Sequence, residues 1–213
     1  MKTILYIHGM GGGGDSRIPN YLNGKLEPEG IRVIVRTYDF DPPIGAAQIA
    51  SWVDELKPSL IIGESLGSIQ TLRIEGIPQI FVSPSLGAPE QFYRAAFLAL
   101  LPGGAWFLHH KFPVKEGDRQ PLKFRFSVMR RYKAHWKAAQ EAAKKPLYRF
   151  AFFGTHDHFM RSGAVKIEYW KRMFGETFQM YEGTHFMEEE NIDALLIPKI
   201  REVLGVAISL EKA

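Results

Sequence analysis

Short apolar runs alternate along the chain with stretches of helical period. Six runs are dense in β-branched and aromatic residues: Thr3–His8, Ile31–Tyr38, Leu60–Gly63, Gln79–Ser83, Tyr148–Phe153 and Thr177–Tyr181. Several are nearly continuous apolar stretches, the pattern of strands buried on both faces. Between them, Ala46–Leu56 places Ala46, Ile49, Ala50 and Val53 on one helical face, and Ser65–Glu75, Val165–Phe174 and Asn191–Leu204 behave alike. Such alternation with short connections predicts an α/β fold, a doubly wound and mainly parallel six-stranded sheet with helices on both faces.

One interval breaks the rhythm. Between Pro84 and Pro146 the single strand candidate is Phe124–Val128, and two helical stretches, Glu90–Leu101 and Val128–Lys145, flank a loop-like centre from Lys111 to Pro121. An excursion of this length between two core strands predicts an insertion over the carboxyl edge of the sheet. The chain is read as a single domain over residues 1–213 with a helical cap at 88–145.

The chain has 213 residues and no cysteine. That excludes disulfides, thiolate nucleophiles and cysteine-held metals. No run reaches the ~18 apolar residues of a membrane span, and Ile4–Ile7 is too short for the apolar core of a signal peptide. A cytoplasmic protein is expected. The net charge of +4 is uneven: His109–Arg149 carries 12 Lys and Arg against three acids. The stretch Arg130, Arg131, Lys133, Lys137, Lys144 and Lys145 reads as the solvated face of a helix whose buried face is Val128, Tyr132, His135, Trp136 and Ala139. Attraction of an anionic substrate or a nucleic acid is the weaker reading, and nucleic acid is not an expected partner.

Chemistry gathers at the carboxyl ends of strands in such sheets. The first predicted strand ends in His8-Gly9-Met10, the third in Gly63-Glu64-Ser65-Leu66-Gly67, the fifth in Gly154-Thr155-His156-Asp157 and the sixth in Gly183-Thr184-His185. G-x-S-x-G between a strand and a helix is a nucleophile elbow, with glycines where two backbones converge. A serine needs a base, and the base an orienting carboxylate. His185 and Asp157 follow in the chain order Ser, Asp, His. The Leu66 and Met10 N–H groups are the candidate oxyanion donors, Leu66 carrying the field of a helix start with it. Glu64 receives no role.

Together these residues resemble the α/β-hydrolase superfamily, in particular small single-domain bacterial esterases that open almost at once with a strand and an HG dipeptide. The resemblance covers the whole chain outside Ala88–Lys145, where the family commonly places a variable cap. It implies a minimal α/β-hydrolase core, without the antiparallel strand pair with which larger members begin. It also implies Ser65 as nucleophile, Asp157 as acid, His185 as base, and Met10 and Leu66 as backbone donors. The expected function is cleavage of a small-to-medium carboxylic ester through an acyl-enzyme, with neither cofactor nor metal. Cap aromatics such as Trp106 and Phe107 are candidates for an apolar acyl pocket. The same machinery serves thioesters and amides, a hydrolase fold can also act as a small-molecule receptor or interaction protein, and the oligomeric state is left open.

Two other strings compete. Gly9-x-Gly11-x-x-Gly14 with Asp39 after the second strand spells a dinucleotide fingerprint. Against it, Asp15-Ser16 and Pro19 place the helix start beyond the glycines. Thr155-His156-Asp157-His158 begins like a metal site but lacks a third ligand at short spacing.

Overall fold

The computed structural model describes residues 1–113 and 116–205. Six strands form one all-parallel sheet: β1 (Lys2–Ile7), β2 (Ile31–Val35), β3 (Leu60–Glu64), β4 (Gln79–Val82), β5 (Arg149–Gly154) and β6 (Phe178–Tyr181), in the order β2-β1-β3-β4-β5-β6. All six strands predicted for the sheet are present. β2 is shorter than its apolar run, because Tyr38 leaves the ladder to stack on His8 with ring centroids 4.4 Å apart.

Side-chain alternation sorts the strands into two cores, as a pleated sheet requires. Ile4, Tyr6, Leu60, Ile62, Ile80, Val82 and Phe152 face α1 (Arg17–Leu26) and the C-terminal helices. Leu5, Ile7 and Ile61 face α2 (Pro42–Leu56), while Phe81, Ala151 and Phe153 face α3 (Gly67–Thr71) and α8 (Ile167–Phe174). The C-terminal helices are α9 (Glu189–Asn191), a π-helical turn (Ile192–Leu196) and α10 (Ile197–Leu204). The sheet is therefore doubly wound. The strand order reverses between β1 and β3, and the crevice at such a switch point is where ligands lie in open parallel sheets.

The helix expected over Ser65–Glu75 is cut to the five residues of α3. The Gln79 side chain donates from Nε2 to the Thr71 and Ile74 carbonyls at 2.8 and 2.7 Å, ending the helix and turning the chain into β4. Between β4 and β5 there is no strand among the described residues. Phe124–Val128 is not extended: Phe124 is buried among aromatics and Phe126 opens a helix. The segment instead holds α4 (Ala88–Ala95), a 3-10 turn (Ala96–Leu100), α5 (Gly104–Lys111) and α6 (Phe126–Ala143). α6 buries Val128, Met129, Tyr132, His135, Trp136, Ala139 and Ala143, the face its periodicity foretells plus Met129 and Ala143.

The 116–120 stretch returns to the body over the glycine-rich loop after β1. Gln120 is fully buried; its N–H donates to Gly12 O at 2.7 Å and its Nε2 to Tyr38 O at 3.1 Å. A Cβ on Gly13 would lie 1.7 Å from the Asp118 carbonyl oxygen. These glycines thus seat one backbone against another. α1 starts at Arg17, beyond them, and Asp39 is ion-paired to Lys123, so neither half of the dinucleotide string has its required setting.

Two buried histidines make the fold acid-sensitive. Burial pushes His135 from the ordinary 6.5 to about 3, with the neighbouring Arg73 guanidinium acting in the same direction, and burial pushes His8 to about 4. Both stay neutral in the native protein where an unfolded histidine takes up a proton. The unfolded chain then binds more protons, so this contribution to stability is lost as pH falls below about 6.5. For His135 the loss is about 2 kcal/mol by pH 5. Urea midpoints at pH 7 and pH 5 check it: His135→Gln, which still offers an amide to Arg73 and Gln70, shrinks the acid-induced drop by about that amount. An unchanged drop would contradict the assignment.

Candidate active site

The chain from β3 into α3 passes through a tight elbow. Ser65 sits there at φ +49°, a left-handed conformation unusual for a residue with a Cβ and recurrent at functional sites. Its N–H is held by Val82 O at 2.9 Å, and its carbonyl accepts from Ser68 N and Ser85 N at 3.2 and 3.0 Å. The flanking glycines are sterically required. A Cβ on Gly63 would lie 2.4 Å from Thr71 Oγ1, and one on Gly67 would lie 2.4 Å from the Ile7 and His8 carbonyl oxygens.

His185 follows β6 and is buried. Its Nε2 lies 2.8 Å from Ser65 Oγ, and its Nδ1 lies 2.6 Å from Asp157 Oδ2. Phe159 and Phe186 pack edge-on against the imidazole at 4.6 and 5.2 Å between centroids. The loop is pinned from outside by the Arg17 guanidinium, which donates to the Phe186 and Met187 carbonyls. Asp157 divides its carboxylate: Oδ2 faces His185, while Oδ1 accepts from Phe159 N–H at 2.8 Å and so caps α7 (His158–Ser162). One side chain thus caps a helix start and contacts a buried imidazole. β5 and β6 can bring these loops together because Gly154 has no Cβ; one there would lie 2.3 Å from Thr184 O.

Met10 and Leu66 both line the cavity above Ser65. Among the described residues neither backbone N–H donates to a protein acceptor. The helix that Leu66 opens is only five residues long, too short to add the field of a long helix. Gly9 lets the β1 loop approach: a Cβ there would lie 2.9 Å from Ser65 Cβ.

The cavity measures about 590 Å³ and opens at the switch point. Its apolar lining includes Phe92, Phe112, Leu122, Phe159 and Phe186. Trp106 and Phe107 do not line it; they are 69% and 51% exposed on the outer side of α5, because that helix turns its Leu108 inward instead. Three lining groups escaped the sequence reading. Ser85 Oγ lies 3.1 Å from Ser65 Oγ, and Ser83-Pro84-Ser85 follows β4, the one strand end carrying a polar residue that had not been read as chemistry. Arg17 and Arg119 also reach the rim. Glu64 is buried, accepts from Tyr6 OH at 3.0 Å, and burial raises its pKa above the usual carboxylate range.

His8 donates from Nδ1 to Gly9 O at 2.7 Å and shapes the loop from beneath. His156, the other member of the string read against a metal site, turns outward to Glu182. Among the described residues no group of three or more His, Asp or Glu side chains converges as a metal site would require. None of the described helices is long and apolar enough to cross a membrane.

No protein-family model matches the sequence, and no curated protein does. Solved structures match over nearly all of it. The mouse α/β-hydrolase domain-containing protein 10 aligns at a TM-score of 0.64 with 16% identity, covering 95% of this chain and 89% of its own. The chain has the α/β-hydrolase fold. Similar hydrolase-fold structures include the monoacylglycerol lipase of Paleococcus ferrophilus, with TM-score 0.67 and 16% identity over 96% of this chain and 95% of that one. A structure from work on carboxylesterases of the thaumarchaeon Nitrososphaera gargenis has TM-score 0.60 and 17% identity over 97% and 92%. Among these structures, the fold is shared with esterases and lipases at low sequence identity.

Proposed function

We propose that the protein is a serine hydrolase that cleaves small-to-medium carboxylic esters. The observation that carries the reading is the unbroken chain of contacts from Asp157 through His185 to Ser65 at the floor of a largely apolar cavity. Ser65 Oγ attacks the ester carbonyl while His185 Nε2 takes its proton. Asp157 holds the imidazole in the tautomer with hydrogen on Nδ1 and stabilises the imidazolium. The Met10 and Leu66 N–H groups receive the charge that develops on the carbonyl oxygen. His185 then protonates the departing alcohol, and water repeats the sequence on the acyl-enzyme. Ser85 positions Ser65: while Ser65 donates to His185, its oxygen accepts from the Ser85 hydroxyl.

The likeness to lipase and carboxylesterase structures supports an ester substrate, and the phenyl rings around the cavity suit an apolar acyl chain. Labelling with a fluorophosphonate and mapping the modified peptide tests nucleophile and mechanism together. Modification is expected at Ser65 alone, with turnover on a panel of chromogenic esters. An unlabelled Ser65, or no ester turned over, would sink the proposal.

A further inference from the structure

The cap carries two sets of cations. Arg119, Lys123, Arg131, Lys144 and Lys145 are each ion-paired, to Asp15, Asp39, Asp41, Glu141 and Glu75. A second set makes no ion-pair contact among the described residues: Arg94 on α4, Arg130, Lys133 and Lys137 on α6, and, beside the cap, Arg172 on α8. All five are exposed and all five line one open groove of about 920 Å³ on the outside of the cap. The single acid lining that groove is Glu90, already engaged by Lys166 and by the Tyr169 hydroxyl. Arg94 and Lys137 act at longer range on Glu90 and Glu141, but five cations on one concave surface still outnumber these acids and focus a field that attracts anions.

The groove adjoins an apolar ridge. Of the eleven large hydrophobic side chains exposed among the described residues, six fall in one short segment: Phe97, Leu98, Leu100, Leu101, Trp106 and Phe107. Clustered exposure of this kind marks an interaction surface rather than ordinary scatter. The two features are continuous. Phe97 packs edge-on to Tyr93 at 6.2 Å and to Phe126 at 5.6 Å, and Arg130 lies over all three rings at 5.1 to 6.0 Å. Lys133 covers the Tyr93 ring at 4.3 Å.

We propose that this face of the cap docks on a membrane surface rich in anionic lipids, the groove cations receiving lipid phosphates and the Phe97–Phe107 ridge entering the boundary between headgroups and acyl chains. Unpaired cations beside exposed leucines and a tryptophan are the two attractions by which proteins lie on anionic bilayers. Charge alone would also suit a nucleic acid. Two details decide for lipid: the Tyr93 face that a base would stack on is occupied by Arg130 and Lys133, and leucines gain nothing from a phosphodiester backbone. Docking would hold the catalytic cavity close to the bilayer, since α5 begins beside the ridge and ends at Lys111, which with Phe112 lines that cavity. The docking itself does not depend on the catalytic reading.

Co-sedimentation with phosphatidylcholine vesicles, with and without phosphatidylserine, tests it. Binding is expected to the anionic vesicles only and is lost at high salt. The triple variant Lys133→Gln/Lys137→Gln/Arg172→Gln, confined to exposed side chains, weakens partitioning about a hundredfold, at ~1 kcal/mol per basic residue. Tryptophan emission shifts to the blue on binding, and Trp106→Ala abolishes the shift while its thermal midpoint stays at the parent value. No binding to anionic vesicles at low salt, equal binding to neutral ones, an undiminished triple variant, or displacement by single-stranded RNA of equal charge would each overturn the proposal.

Discussion

Ser65→Ala is expected to lower kcat for any ester the protein turns over by about three orders of magnitude or more, about 4 kcal/mol of transition-state stabilisation. The substitution removes one oxygen and leaves the elbow intact. Alanine keeps the Cβ, so the backbone strain at φ +49° is the same, and the hydrogen bonds that shape the turn come from the main chain. The thermal midpoint should therefore stay close to that of the parent, which separates loss of chemistry from loss of fold. What remains is the work of the oxyanion donors and of binding, still well above the uncatalysed rate. A second hydroxyl nearby makes the experiment sharper. Ser85 Oγ is 3.1 Å from the missing oxygen, but His185 Nε2 is partnered by Ser65 and not by Ser85. Ser85 accordingly has no base of its own, and Ser65→Ala/Ser85→Ala should match the single variant. Steady-state kinetics on one chromogenic ester, with circular dichroism for folding, is sufficient; near-normal turnover by Ser65→Ala would reject Ser65 as the nucleophile.

The strands, their parallel order and the strand-end positions of Ser65, Asp157 and His185 were legible because each is encoded locally. A buried parallel strand must be apolar for four or five residues, and a residue just past its end must face the crevice. The elbow was legible for the same reason: Gly63 and Gly67 are small because Thr71 and the β1 carbonyls leave no room, and a glycine at fixed spacing carries that requirement in the sequence. Other features arise between segments far apart in the chain and have no local signature. α3 ends early because of the amide of Gln79, eight residues on from the Thr71 carbonyl it caps. The glycine run after β1 reads equally as an approach to a phosphate or as a seat, and only the Asp118 carbonyl, about a hundred residues away, decides for the seat. Trp106 and Phe107 illustrate the limit of composition. The missing strand between Pro84 and Pro146 announced a helical insertion but not which of its aromatics face the cavity, since α5 is apolar on more than one side and its inward face is chosen by what it lands on. The basic residues of α6 are exposed, as its periodicity predicts, yet the partition of the cations into paired and unpaired sets depends chiefly on Asp15, Asp39, Asp41 and Glu75, none of them between 88 and 145.

Asp157→Asn is expected to cost three to four orders of magnitude in kcat with little change in stability, and the reason lies in how the carboxylate is anchored. Asp157 Oδ1 accepts from Phe159 N–H at 2.8 Å, where it caps α7. Asparagine has one oxygen, and that oxygen must stay on the Phe159 N–H to keep the cap, a contact worth about 1 kcal/mol. Its NH2 is then turned toward His185 Nδ1. An imidazole facing a donor there must present its lone pair, so its proton moves to Nε2, 2.8 Å from Ser65 Oγ. In that tautomer His185 cannot accept the serine proton, although every heavy atom is in place. Reactivity toward a fluorophosphonate should fall in parallel with turnover, while the affinity of a non-hydrolysable ester analogue for the cavity stays the same. That split distinguishes a wrong tautomer from a collapsed site, which would lose affinity as well. If Asp157→Asn turned over substrate at nearly the parent rate, the orienting role would pass to Glu64, the other buried carboxyl group whose field acts on His185, and Glu64→Gln would then carry the loss.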